Sequence, residues 1–178
     1  MNRIIVITGP ESTAKSTLTR ELSAYFGGNF FPEYAREYLT GKEAGYTYAD
    51  VEQIARKQIK QYQAARQFEG LVFLDTWLII TRTWFDWVFN KVPSWLEEAI
   101  ANHPVDLFLL CRPDIPWQPD PLRENGGEQR EKLFMNYRQE LQSRGFFFME
   151  VGGEGDLRVR NAIEAVKAHI YLPEISSL

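Results

Sequence analysis

A lysine and a serine, Lys15-Ser16, close the run Gly9-Pro10-Glu11-Ser12-Thr13-Ala14-Lys15-Ser16-Thr17. An ammonium group neutralises phosphate oxygens, and a hydroxyl beside it completes the shell of a divalent cation. In a tight loop that opens a helix, this pair forms a triphosphate cradle, the phosphate-binding P-loop. Gly9 permits the sharp turn, Lys15 is expected to bridge the β- and γ-phosphates, and Ser16 to reach Mg²⁺. Ser12, Thr13, Ala14 and Thr17 complete the expected ATP-binding loop. One letter departs from G-x-x-x-x-G-K-[ST]: Ala14 stands where glycine is usual. A Cβ at positive φ costs ~1–2 kcal/mol, strain that functional sites hold. The loop is therefore expected to be weakened or reshaped, not abolished.

Other residues suit the same chemistry. Asp75 follows the apolar run Leu71-Val72-Phe73-Leu74, the place of a Walker B aspartate that holds Mg²⁺. Taken alone, a helix-capping role fits it equally. Glu33 and Arg36 stand three residues apart in Phe31-Pro32-Glu33-Tyr34-Ala35-Arg36. Glu33 is a candidate base or ribose-hydroxyl partner and Arg36 a candidate substrate ligand, against a plain surface ion pair. The proline-rich stretch 112–127 reads as a lid carrying Arg123, with Arg130 beyond it. Its arginines would neutralise a transferring phosphoryl group while the loop excludes water; the alternative is a solvated surface loop. Trp77 is a secondary candidate for stacking a substrate ring. The turn Gly152-Gly153-Glu154-Gly155 either passes near adenine or simply joins two elements. His103 and His169 fall in no ligand pattern and are assigned to neither metal nor catalysis.

These residues need elements to position them. The β-branched run 3–8 reads as a buried strand, followed by helix over 15–26, which Gly27-Gly28 ends. Further strands are expected at 29–31, 71–74, 106–111 and 146–151. Helices are expected from 33 to 39 and over 50–67, 77–90, 93–102, 128–144 and 156–171. Apolar strands alternating with helices predict an α/β fold: a five-stranded parallel sheet with helices on both faces. Right-handed crossovers bring Gly9, Glu33, Asp75 and Arg112, all just past strand ends, to one edge. The helix at 77–90 is apolar nearly all round, which predicts burial on two sides, in the core and in a contact between copies.

A length of 178 residues suits a single domain over 1–178. The net charge of −4 argues against broad nucleic-acid binding. Cys111 is the single cysteine, which excludes an internal disulfide and suits a reducing compartment. No apolar run approaches a membrane span and no signal peptide is evident, so the cytoplasm is the expected location. No Asn-Lys-x-Asp guanine motif occurs, which disfavours a GTPase.

Together these motifs resemble the ribosylnicotinamide kinase domain of NadR-type proteins and its stand-alone ATP-binding relatives. The resemblance rests on residues 9–17, Glu-Tyr-Ala-Arg-Glu at 33–37, Leu-Asp-Thr at 74–76 with Ile80-Thr81, and Asp-Ile-Pro-Trp-x-x-Asp-x-Leu-Arg at 114–123. It runs from about residue 3 to about residue 165. It implies a P-loop kinase of nucleoside-monophosphate-kinase type that moves the ATP γ-phosphate to the 5′-hydroxyl of nicotinamide riboside. Lys15, Glu33, Asp75, Arg123 and Arg130 are the implied catalytic set, with Mg²⁺ on Ser16 and Asp75. Three positions depart from the family pattern: Ala14 for glycine, Trp77 for a second aspartate, and Pro32 for an aromatic residue. The chain begins at the P-loop strand, so no adenylyltransferase domain is expected. The competing expectations are a non-catalytic ATP-binding regulatory module and a kinase of another nucleoside, a nucleotide or a nucleic-acid end.

Overall fold

The computed structural model describes residues 1–42 and 45–171; the last stretch of the expected single domain, 172–178, lies outside the described residues. The chain runs β1 (Asn2–Thr8), α1 (Lys15–Phe26), β2 (Asn29–Phe31), α2 (Tyr34–Leu39), α3 (Tyr48–Ala65) and β3 (Gly70–Asp75). It continues through α4 (Leu78–Phe89), α5 (Ser94–Asn102), β4 (Leu107–Cys111), α6 (Glu128–Ser143), β5 (Phe148–Val151) and α7 (Asp156–Tyr171). The strands form one parallel sheet in the order β2-β3-β1-β4-β5. The expected five-stranded fold is thus present.

Alternation along the central strands divides the interior in two. Ile4, Val6, Val72, Leu74, Phe108 and Leu110 face a core completed by α3, α4, α5 and α6. Ile5, Ile7, Phe73, Leu107, Leu109 and Cys111 face a second core under α1 and α7. Both faces of β1 are dry, so its run of β-branched residues reads as continuously apolar. The strand order reverses direction at β1, which opens a crevice beyond its carboxyl end.

Local chemistry sets the element ends. Gly27 closes α1 in the left-handed conformation at φ 64°, its N–H bonded to the Ser23 carbonyl. Helix α3 starts two residues before the expected Asp50, because Thr47 and Asp50 form a reciprocal capping box. Helix α4 starts at Leu78: Thr76 at φ 75° and extended Trp77 keep the chain out of helix until then.

Candidate active site

The loop from Gly9 to Ala14 leaves β1 and feeds α1. A Cβ on Gly9, at φ 138°, would meet the Cys111 carbonyl oxygen at 2.6 Å, so only glycine fits beside β4. Ser12 at φ 55° and Ala14 at φ 61° both take the left-handed conformation. The strain expected at Ala14 is therefore present, and the loop keeps its curl. No side chain caps α1, which leaves the first N–H groups of the helix free for an anion. The Thr13 hydroxyl and the Lys15 ammonium each donate to the Pro10 carbonyl at 2.8 Å. The Thr8 hydroxyl, buried at the end of β1, has no hydrogen-bond partner.

Two carboxylates reach this loop. Asp75, 4% exposed at the end of β3, has its pKa raised by burial; hydrogen bonding to Ser16 and the nearby Lys15 charge oppose the rise. Glu33 precedes α2, and its pKa is also raised, first by burial; Lys15 lowers it and Asp75 raises it. Glu33 and Asp75 thus come to the phosphate loop, as their places past strand ends predicted. Arg112 does not: it turns to Glu150 on β5 at 2.8 Å and lies on the surface.

Between the loop, α2, α4 and the 112–127 segment lies a cleft of about 780 Å³, lined by Gly9, Lys15, Ser16, Glu33, Arg36 and Arg123 among others. Its far wall is aromatic. Ile80, Thr83, Trp84, Trp87 and Val88 line it from one face of α4, and the Tyr46 ring meets Trp84 edge-on at 4.7 Å. The second apolar side of α4 therefore borders the cleft, where Trp87 and Val88 stay exposed. Arg36 pairs with Asp120 at 2.9 Å, and Lys42 pairs with Asp50. Tyr46 donates to Glu124 at 2.9 Å, and burial together with that carboxylate pushes its pKa up to about 12.

Two candidates are corrected. Trp77 is 2% exposed and stacks on Tyr62 at 5.1 Å inside the core; it does not line the cleft. Its backbone points it inward because the chain crosses from β3 to α4 in extended form. Arg130 is 6% exposed and donates to the carbonyls of Ser12 at 2.9 Å and Ile115 at 3.1 Å. Its charge joins the loop to the 112–127 segment instead of lining the cleft. Arg123 does line the cleft, bonded to the Gln118 carbonyl.

Sequence reasoning missed Glu11, Arg158, Tyr46, Trp84 and Trp87. The spacing 80, 83, 84, 87, 88 marks one helical face and is the signal for the aromatic wall. Arg158 carries no such signal. It is 2% exposed and donates to the carbonyls of Thr13 and Gly153 and to Asp114, which ties α7 to the phosphate loop. Asp114 in turn accepts from the Gly153 N–H at 2.7 Å. The Gly152–Gly155 turn is therefore more than a connector. With Thr17, Glu21 and Pro116 it borders a second cavity of about 610 Å³ that also touches Ala14.

A family model described as "AAA domain" matches residues 4–160. The trifunctional NAD biosynthesis/regulator protein NadR of Escherichia coli (strain K12) is 29% identical over 172 residues, covering 93% of this chain and 42% of NadR. The Salmonella typhimurium (strain LT2) NadR matches with the same identity and coverage. This chain thus spans less than half the length of the curated relatives it matches. A crystal structure of NadR protein in complex with NR superposes with a TM-score of 0.84 at 25% identity, over 99% of this chain and 54% of that one. A deoxyadenosine kinase from M. mycoides shares the fold, with a TM-score of 0.65 at 15% identity over 93% of this chain and 99% of its own. The likeness to NadR read from the motifs is borne out.

Proposed function

From its place in the AAA_28 family of AAA domains, to which this chain belongs, we propose that the protein is an ATP-dependent kinase of a nucleoside, with nicotinamide riboside as acceptor. The observation that carries the reading is Glu33, a carboxylate that lines the cleft together with Lys15 and the aromatic wall and whose pKa both Lys15 and Asp75 move. In the proposed reaction the acceptor 5′-oxygen forms a bond to the γ-phosphorus, its proton passes to the Glu33 carboxylate, and ADP leaves. The uncapped start of α1 and Lys15 hold the triphosphate, and Arg123 faces it from the lid, residues 112–127. Ser16 and Asp75 fit Mg²⁺, being a hydroxyl at the start of α1 and a buried carboxylate at the end of β3 whose pKa Ser16 helps to lower; bound there, the cation would neutralise phosphate charge. In this reading adenine takes the second cavity, which Glu154 and Gly155 of the turn line.

The acceptor end supports a nucleoside over a nucleotide. Arg36 and Lys42 are each paired with a carboxylate, so an acceptor phosphate would have to displace one. Glu33, Glu124 and the Tyr46, Trp84 and Trp87 rings suit a cationic aromatic base instead. That is the chemistry of nicotinamide riboside, and the superposed NadR structure is a complex with NR. The chain is proposed to act as one kinase domain. No helix among the described residues is long and apolar enough to cross a membrane. The proposed location is the cytoplasm, a reducing compartment that suits the free, buried thiol of Cys111. Incubation with ATP·Mg²⁺ and nicotinamide riboside, read by mass spectrometry, should yield the mononucleotide and ADP. Phosphorylation of a different nucleoside would keep the kinase and replace the acceptor. ATP binding with no transfer to any nucleoside would leave the regulatory module as the better reading.

A further inference from the structure

We propose that Glu11 is a positioning residue: the acid of the phosphate loop clamps the lid so that Arg123 is held over the cleft. This rests on the kinase reading above. Glu11 Oε2 accepts from the Glu124 N–H at 3.0 Å and the Asn125 N–H at 2.9 Å, and Oε1 accepts from Asn125 Nδ2 at 3.1 Å. The next residue makes a second grip. Ser12 Oγ accepts from the Gln118 N–H at 2.9 Å, and its carbonyl takes the Arg130 guanidinium. Arg123 lies between these grips, at 118 and at 124–125, and donates to the carbonyl of Gln118, the first of them.

The charge at position 11 makes sense only with such a partner. A bare carboxylate in a phosphate loop repels the triphosphate it serves, and Glu11 already pushes the Glu33 pKa upward. Two backbone N–H groups and a side-chain amide hold that charge on the lid. Each charge-assisted hydrogen bond of this kind is worth more than a neutral one. Closure then depends on the loop itself, and the cation is fixed where charge develops in the transition state. With the clamp gone, a looser lid admits water, whose oxygen replaces the acceptor oxygen at the γ-phosphorus and releases ADP and inorganic phosphate.

Hydrogen exchange on the full chain loaded with ATP·Mg²⁺ tests the clamp directly, in Glu11→Ala and Glu11→Gln. In the alanine variant the amides of Glu124 and Asn125 should exchange about tenfold faster or more. In the glutamine variant, whose carbonyl oxygen still accepts, the change should be intermediate. By calorimetry the ATP Kd of Glu11→Ala should stay within about threefold of wild type. Its phosphorylation of nicotinamide riboside should fall about tenfold or more, and phosphate release per acceptor phosphorylated should rise. Unchanged exchange at 124–125 would overturn the proposal. So would ATP affinity falling in step with transfer, which would place Glu11 in the phosphate cradle itself. Exchange is read without acceptor, so a wild-type protein that transfers nothing refutes the kinase reading and leaves the clamp to be judged by exchange alone. If Glu11→Ala does not fold, Asn125→Ala removes one arm from the lid side. It should give the same pattern in smaller measure, and unchanged exchange there also overturns the clamp.

Discussion

Asp75 is held at a cost. Burial raises its folded-state pKa above the unfolded value of 3.8, and the Ser16 hydrogen bond and Lys15 only oppose that rise. For an acid whose folded pKa is raised, stability is greatest below the unfolded pKa, falls as pH climbs through the folded pKa, and is flat above it. Asp75→Asn removes the charge and keeps the shape. The nucleotide-free variant should therefore melt higher than wild type at about pH 7, the gap closing near about pH 3, while its transfer activity is lost. Thermal melts across that range check it, and a lower melting point at neutral pH would show that Lys15 outweighs burial. Ala14, at φ 61°, gives a second expectation. Glycine there relieves ~1–2 kcal/mol of folded-state strain but adds unfolded-chain entropy worth ~0.4–1 kcal/mol. Ala14→Gly should raise the urea midpoint, by a gain in stability of about 0–1.6 kcal/mol, with ATP affinity kept or improved. A lowered midpoint would mean the loop is built around the methyl group. Lys15 and Ser16 were legible in the sequence from the loop motif that holds them, and Glu33 and Asp75 because each follows a strand whose end the topology fixes. Glu11 and Arg158 were not, because their partners at 124–125 and 114 belong to loops whose path no periodicity encodes.

At the scale of elements, α4 does two jobs on two faces. Leu78, Ile79 and Phe85 enter the core, while Ile80, Trp84, Trp87 and Val88 wall the cleft. The helix was legible as apolar all round. Which tryptophan lines the cleft was not, since that depends on where the helix begins. Thr76 at φ 75° sets that start, and Trp77 falls into the core ahead of the first turn. The two residues should therefore separate cleanly under substitution. Trp77→Ala removes a fully packed indole, and its cost should be about 3–5 kcal/mol in urea denaturation. Trp87→Ala, at a residue 41% exposed, should cost less than about 1 kcal/mol. If the ring faces a cationic base, acceptor affinity in Trp87→Ala should weaken about threefold to thirtyfold, with the ATP Kd unchanged. Steady-state kinetics with each substrate varied distinguishes the two. A Trp87→Ala enzyme with wild-type acceptor KM would remove the aromatic wall from recognition.

The whole molecule is one sheet with a core on each face, and the central strands alternate residue by residue between them. Ile4 and Val6 belong to one core, Ile5 and Ile7 to the other. Neither core can melt while β1 stays ordered, so heat should unfold the chain in a single transition, with calorimetric and van't Hoff enthalpies in agreement. This is the physical content of the single-domain reading. The proposed nucleotide site spans both sides of that sheet's carboxyl edge: the loop after β1, Asp75 after β3, the lid after β4 and the turn after β5. Ligand binding to such a site stabilises the folded state as a unit. ATP·Mg²⁺ at about 100 times its Kd should add about 2.7 kcal/mol, which for a chain of this size is a Tm rise of roughly 5–10 °C. The transition should stay single and shift as a whole. A rise confined to part of the transition, with the remainder melting at the ligand-free temperature, would show two independent units. A uniform rise that Lys15→Ala abolishes, in a variant with an unchanged ligand-free Tm, would tie the stabilisation to the phosphate loop.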